Sequence, residues 1–290
     1  MKWSLKLLSV AGIGICMHWT FLFLIGWIVL AHASAGENTA AIALGIGFVV
    51  ALFACVVLHE LGHAFMARRF GVQTRDITLL PIGGVARLER IPEVPYQEFL
   101  VAVAGPAVNV VIAGILFTAA MVLGTLGSVF DIQLVGGSFL IKLMWVNIVL
   151  VLFNIIPAFP MDGGRVLRAL LATQMPRVRA THIAASVGQM VAILFALAGL
   201  MIPGMLMLLF IAMFVYLGAQ GEAQAVEIRE VLRGARVSDA MVKRFVTLNE
   251  KSHLDLATRE MVAGHQRDFP VTNGSEITGI LLHQDVVKAL

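Results

Sequence analysis

A chain of 290 residues that is 59% hydrophobic and only 13% charged departs twice over from soluble domains, which are about 45–50% apolar and about 25% charged. With a mean hydropathy of +0.89 it reads as a membrane protein with several spans and room for one small soluble module. The net charge of +3 reads as the basic cytoplasmic rim of such a protein, and no nucleic-acid partner is expected.

Six apolar runs follow in chain order, at roughly 11–31, 41–67, 98–123, 139–156, 183–201 and 205–218. A span needs about 20 apolar residues, with a range of about 17–25. The first run lacks a small-residue cleavage site followed by a polar domain, so it is expected as a retained span. Pro203-Gly204 separates the last two runs as the turn of a helical hairpin. The predicted fold is an α-helical multi-pass membrane protein with about six transmembrane helices.

Loop charges orient these spans. Lys2 and Lys6 precede the first run; Arg68, Arg69, Arg75, Arg87 and Arg90 follow the second; Arg165, Arg168, Arg177 and Arg179 follow the fourth. The positive-inside rule then places both termini in the cytoplasm of a cell-membrane protein. Lys142 is the exception, at the outer end of the fourth run, where it can snorkel to the interface. Between the second and third runs, Val72–Leu80 and Val85–Arg90 have strand-like content joined by Pro81-Ile82-Gly83-Gly84. A small cytoplasmic β-hairpin or re-entrant loop is expected there, packed on protein or lining a wet cavity, because strand edges cannot face lipid. The predicted domains are 1–218 in the membrane, a polar helical linker at 219–235, and a soluble module at 236–290. In that module a helix is expected at Leu254–Gly264, strands at Phe269–Val271 and Ile277–Leu282, and a helix from Asp285.

The second run holds His59-Glu60-Leu61-Gly62-His63, a match to His-Glu-x-x-His. On a helix the two histidines share a face one turn apart. They can bind one zinc, and Glu60 beside them is placed to take a proton from the attacking water. Chance gives about 0.01 such matches in a chain of this composition. Ionisable groups inside a span are costly and usually functional. The bland alternative is a buried His/Glu hydrogen-bond cluster, in which an ionised Glu would need a partner. Cys55 shares the helix face of His59, but Cys55 and His63 are about 12 Å apart along a helix, too far for one zinc. It reads as a packed thiol, and the two cysteines, Cys16 and Cys55, give no disulfide framework.

Zinc proteases usually have a third protein ligand. Asp131 falls in an external loop and Asp76 in the hairpin, whereas Asp162 follows the fourth run at the depth of the histidines. Its context, Asn154-Ile-Ile-Pro157-Ala-Phe-Pro160-Met-Asp162-Gly163-Gly164, breaks the helix with two prolines and permits a tight turn with two glycines. Such backbone must line protein or water. The same local sequence fits an N-cap for a helix beginning near Arg165 equally well.

These features together resemble the site-2 protease family of intramembrane metalloproteases. The resemblance is carried by HELGH within a span, by Asn-x-x-Pro-x-x-Pro-x-Asp-Gly from Asn154 to Gly163, by Gly105-Pro106-Ala107-Val108-Asn109 in the span between, and by His18-Trp19-Thr20-Phe21. It covers about residues 11–218. It implies zinc held by His59, His63 and Asp162, with Glu60 as general base and acid and Asn154 stabilising the oxyanion or contacting substrate. Asn109 is implied as a group that orients substrate or site, or else as an interhelical hydrogen bond. His18 reads as a packed polar residue. The family's targets imply a membrane-anchored regulatory protein as substrate. A substrate helix must unwind before attack, and an extended stretch could then pair with a strand edge of the 72–90 hairpin.

Residues 236–290 resemble one cystathionine-β-synthase-type (CBS) motif. The carrying stretches are Ala257 to His265, Asp268-Phe-Pro270-Val271, and Gly279-Ile280 to Asp285-Val286. Such motifs pair in tandem around an adenine nucleotide. The expectation is ATP or a related nucleotide with Asp285 at the ribose, and a pairing partner from a second chain, as a homodimer, or from further sequence. His253, His265 and His283 read as surface residues. Two competing readings are a CBS-regulated transporter or channel with HELGH and Asp162 as an ion path, and a pseudoprotease scaffold.

Overall fold

The computed structural model describes residues 4–81, 83–89, 92–125, 138–264 and 266–289. Lys2, Ile82, Arg90, Asp131 and His265, named above, lie outside them. The chain forms two compact units, Met1–Glu230 and Val231–Leu290.

The first expected span is not one helix. Its first half forms strand β2 (Ile13–His18), paired antiparallel with β1 (Ser4–Val10) through a turn at Ala11 and Gly12. Both turn residues have positive φ, +50° and +89°, the conformation that two-residue hairpin turns require. Only Phe21–Ser34 is helical (α1), about 21 Å long at ~1.5 Å per residue. Helix α2 (Thr39–Arg69) packs against it, with Asn38 capping its start by accepting from the Ala41 N–H at 2.9 Å.

The expected hairpin is present as β3 (Thr74–Leu80) and β4 (Gly83–Leu88). It is part of a larger sheet, however, ordered β1-β2-β3-β4, in which β2 and β3 are parallel. Parallel strands need a long crossover, and here α1 and α2 supply it. Asp76 and Arg87 stand opposite each other in the β3–β4 ladder and form an ion pair. Its hydrogen bonds from Arg87 hold the Asp76 carboxyl below the usual carboxylate range, and Asp76 is not part of the metal-capable group found among the described residues.

Helix α3 (Pro95–Val122) packs against α2, α4 (Phe139–Ile155) and α5 (Asp162–Leu171). A Cβ at Gly62 would lie 2.8 Å from the Ala104 carbonyl oxygen, so this glycine sets how closely α2 approaches α3. Helices α6 (Arg177–Met201) and α7 (Met207–Gly234) form the expected hairpin about Gly204, φ +85°. The 219–235 segment is helical but is no separate linker, since α7 runs through it without a break. Among the described residues four helices are long and apolar enough to cross a membrane, α2, α3, α6 and α7; α1 and α4 are shorter apolar helices.

The loop between α4 and α5 is buried, with Ala158 and Phe159 fully enclosed against Ala184, Ala185 and Ala192 of α6 and Val215 and Ala219 of α7. Small residues make this possible. A Cβ at Gly218 would meet Pro160 at 2.7 Å. The non-helical backbone is thus sheltered by protein, as its location demands.

The second unit contains α8 (Val237–Ala240), β5 (Leu248–Asn249), α9 (Leu254–Val262), β6 (Phe269–Asn273), β7 (Glu276–Leu281) and α10 (His283–Ala289). Its sheet has the order β5-β6-β7 over a small core of Leu248, Ala257 and Phe269. The helix, two strands and terminal helix fall where the sequence placed them.

Candidate metal centre

Helical spacing puts His59 and His63 on one face of α2, with ring centroids 4.8 Å apart. Their Nε2 atoms are 3.1 Å apart, and each stands 3.2 Å from Oδ2 of Asp162. Asp162 comes from 99 positions further along the chain. It occupies the first turn of α5, whose N-cap is Met161, so the N-cap alternative for Asp162 does not hold. All three residues are buried.

The outer nitrogens of both rings are engaged. His63 Nδ1 lies 2.7 Å from the Val101 carbonyl oxygen and His59 Nδ1 lies 2.6 Å from Asn109 Oδ1. A backbone carbonyl only accepts, so His63 carries its proton on Nδ1 and presents a bare Nε2 lone pair inward. That lone pair faces a carboxylate oxygen and a second imidazole nitrogen, an arrangement that a cation reconciles.

The donor set fits zinc. Two ligand atoms on a tetrahedral zinc stand about 3.3–3.5 Å apart, close to the three spacings found here. Two histidines and a carboxylate leave a fourth position open, the pattern of catalytic rather than structural zinc. Space for the ion is also kept: a Cβ at Gly105 of α3 would come within 2.7 Å of His59 Nε2 and closer still to His63. Gly105 belongs to a motif singled out in the sequence, but its part in the site depends on the α2–α3 packing.

Glu60 sits on the same turn of α2 as His59, half-buried. Strand β4 passes directly over it, and a Cβ at Gly84 would meet the Glu60 side chain at 3.0 Å. Asn154 lies in the last turn of α4, half-buried. Arg165, one turn beyond Asp162 on α5, has a buried Nε without a hydrogen-bond partner among the described residues. Cys55 is a buried free thiol. His18 bonds Thr20 through Nδ1 at 2.8 Å and takes no part in the cluster. Among the described residues this is the one group of three or more His, Cys, Asp or Glu able to hold a metal.

Residues 47–197 match the profile of Peptidase family M50. The chain belongs to that family. It is 34% identical to zinc metalloprotease MJ0392 of Methanocaldococcus jannaschii, over 97% of this chain and 78% of that one. It is 30% identical to Rip3 of Mycobacterium tuberculosis, over 97% of this chain and 75% of that one. The solved structure of a site-2 protease from Methanocaldococcus jannaschii superposes with a TM-score of 0.55 at 38% identity, covering 76% of this chain and 95% of that one. The M50 chain described here is therefore a zinc metalloprotease of the site-2 protease family, and His59, Glu60, His63 and Asp162 all lie within the matched residues. Asn147, absent from the sequence reading, is buried beside Asn109.

Proposed function

We propose that this M50 protease cleaves peptide bonds of membrane-anchored or transmembrane regulatory proteins at the depth of the bilayer. The observation that carries the reading is the position of two of the three cluster residues, His59 and His63, inside α2, a helix long and apolar enough to cross a membrane. His59, His63 and Asp162 hold the ion. When bound there, zinc lowers the pKa of a water to about 7 and polarises the scissile carbonyl. Glu60 takes the proton from the attacking water and returns it to the departing amine nitrogen. Asn154 donates toward the developing oxyanion. Asn109, fully buried with both amide atoms engaged, is read as orienting the site, which its bonds to His59 and Asn147 support.

A helical substrate hides its amides in its own hydrogen bonds and must open before attack. Strand β4 is the free edge of its sheet and lies against Glu60, so an extended substrate segment paired along it would bring a peptide bond to the site. In this reading α1, α2, α3, α4, α6 and α7 cross the bilayer and both termini face the cytoplasm. The pairing of β2 with β3 supports a crossing α1, because β2 then starts at the end of the helix pair where α2 finishes. Purified protein in liposomes with a single-span reporter tests the function. Wild type should release product that mass spectrometry locates within the span, and Glu60→Gln should keep zinc yet lose cleavage by at least ~100-fold, within the range of general acid–base contributions. Equal cleavage by Glu60→Gln would overturn the mechanism.

The Val231–Leu290 unit is read as a CBS-type motif that binds an adenine nucleotide, with Asp285 in the first turn of α10 near the ribose and a second copy as the pairing partner. The order of its helices and strands supports this. Calorimetric titration with ATP and AMP should give saturable binding that Asp285→Ala weakens; heat signals equal to buffer dilution would remove the nucleotide.

A further inference from the structure

We propose that Asn147 is a positioning residue of the metal site, which acts through Asn109 to decide which nitrogen of His59 is bare. This rests on the zinc reading above and adds to it two residues that touch neither metal nor substrate.

The polarity of the relay starts from a backbone group that admits one reading. Within α4, a side-chain amide atom of Asn147 lies 2.8 Å from the Leu143 carbonyl oxygen. A carbonyl only accepts, so that atom is Nδ2, and Oδ1 of Asn147 points across to α3. There it stands 2.8 Å from the amide of Asn109. An acceptor at that distance calls for a donor, so Asn109 turns its Nδ2 toward α4 and its Oδ1 toward α2. Asn109 Oδ1 then accepts from His59 Nδ1 at 2.6 Å. His59 holds its proton on Nδ1, and Nε2 is left with its lone pair aimed at His63 and Asp162.

Bulk solvent does not reach either amide, because Asn109 and Asn147 are both 0% exposed. Were Asn109 to flip, two oxygens would face each other at 2.8 Å in a dry interior, and an N–H would face His59. His59 would then have to move its proton to Nε2, where it blocks coordination. An asparagine is ambiguous by itself, since its two faces differ only in hydrogen-bond sense. Asn147 removes the ambiguity. His63 needs no such device, because its outer nitrogen meets the Val101 carbonyl directly.

The test is zinc affinity, measured by competition with a chromophoric chelator on the full chain in detergent. Three variants are compared with wild type: Asn147→Leu, Asn109→Asp, and the double variant. Asn147→Leu keeps the volume but lets Asn109 turn, and should weaken zinc about 10–100-fold, the usual range for lost support of a metal ligand. Asn109→Asp has two oxygens and no donor, so it keeps the His59 proton on Nδ1 in either orientation, but it sets an oxygen against Asn147 Oδ1 and should bind more weakly than wild type. The double variant removes that opposed oxygen while still accepting from His59 Nδ1, and should therefore bind zinc more tightly than Asn147→Leu. A purely structural Asn147 gives a different result: the double variant would remain as weak as Asn147→Leu, and the proposal falls. It falls too if Asn147→Leu binds zinc as tightly as wild type, while the metal reading stands. Wild type that binds no zinc would overturn both.

Discussion

Gly105 shows how much one missing methyl group can decide. A Cβ there would occupy the space between the two imidazoles. Gly105→Ala should therefore lower zinc affinity by more than ~10-fold, of the same order as losing direct support for a ligand. Gly114 on the same helix has open space where its Cβ would be. Gly114→Ala should leave zinc binding unchanged and at most raise stability by about 0.5–1 kcal/mol, the helical preference for alanine over glycine. Chelator competition and thermal melting separate the two effects. At this scale the sequence was most informative where spacing alone creates geometry. His59, Glu60 and His63 fall on one turn by helix periodicity, and that part of the site could be read without any other segment. The roles of Gly105 and Asn147 could not, because each depends on a partner 38 or more positions away across a helix interface.

Among the elements, α5 carries the third ligand at one end and a buried ion pair at the other. Arg168 is fully enclosed, bonding Glu98 of α3 at 2.7 Å and Glu222 of α7 at 3.2 Å, with its guanidinium 4.9 Å from the Phe159 ring centre. Arg177 of α6 reaches the other oxygen of Glu98 at 3.1 Å. Two glutamates and two arginines thereby join four helices around the element that presents Asp162. Arg168→Met leaves Glu98 buried with one cation fewer and should cost about 3–5 kcal/mol. The double variant with Glu98→Gln should cost less than the sum of the single changes. Denaturant or thermal unfolding in detergent checks both. Nothing local in the sequence announces this cluster, because its members are 70 and 54 positions apart. The first apolar run was misread for a related reason. Hydrophobicity alone does not separate a short strand from a helix segment, and β2 becomes a strand by pairing with β3, where Gly14 meets Asp76.

For the molecule as a whole, the division at Glu230 has a direct consequence. The His59, His63 and Asp162 cluster and the groups bonded to it, Val101 and Asn109, all lie in Met1–Glu230. Removal of residues 231–290 should leave about one zinc per chain by elemental analysis, and any nucleotide effect on cleavage should vanish with them. Loss of zinc on truncation would mean that the second unit is needed to complete the first. Four of the six apolar runs fall on helices long and apolar enough to cross a membrane, and the composition changes after Gly218. What they could not give is the point of division, because α7 continues as one helix from its apolar half into its polar half.

The separation of Asp162 from His63 by 99 positions also has a meaning in time. A ribosome adds about 5–20 residues per second, so the histidine pair waits roughly 5–20 s before the carboxylate that completes its triad is even made. A half-synthesised chain therefore carries the histidine pair without the carboxylate that stands 3.2 Å from both rings in the finished fold. On the zinc reading proposed above, the centre is complete only once α5 has emerged and docked against α3.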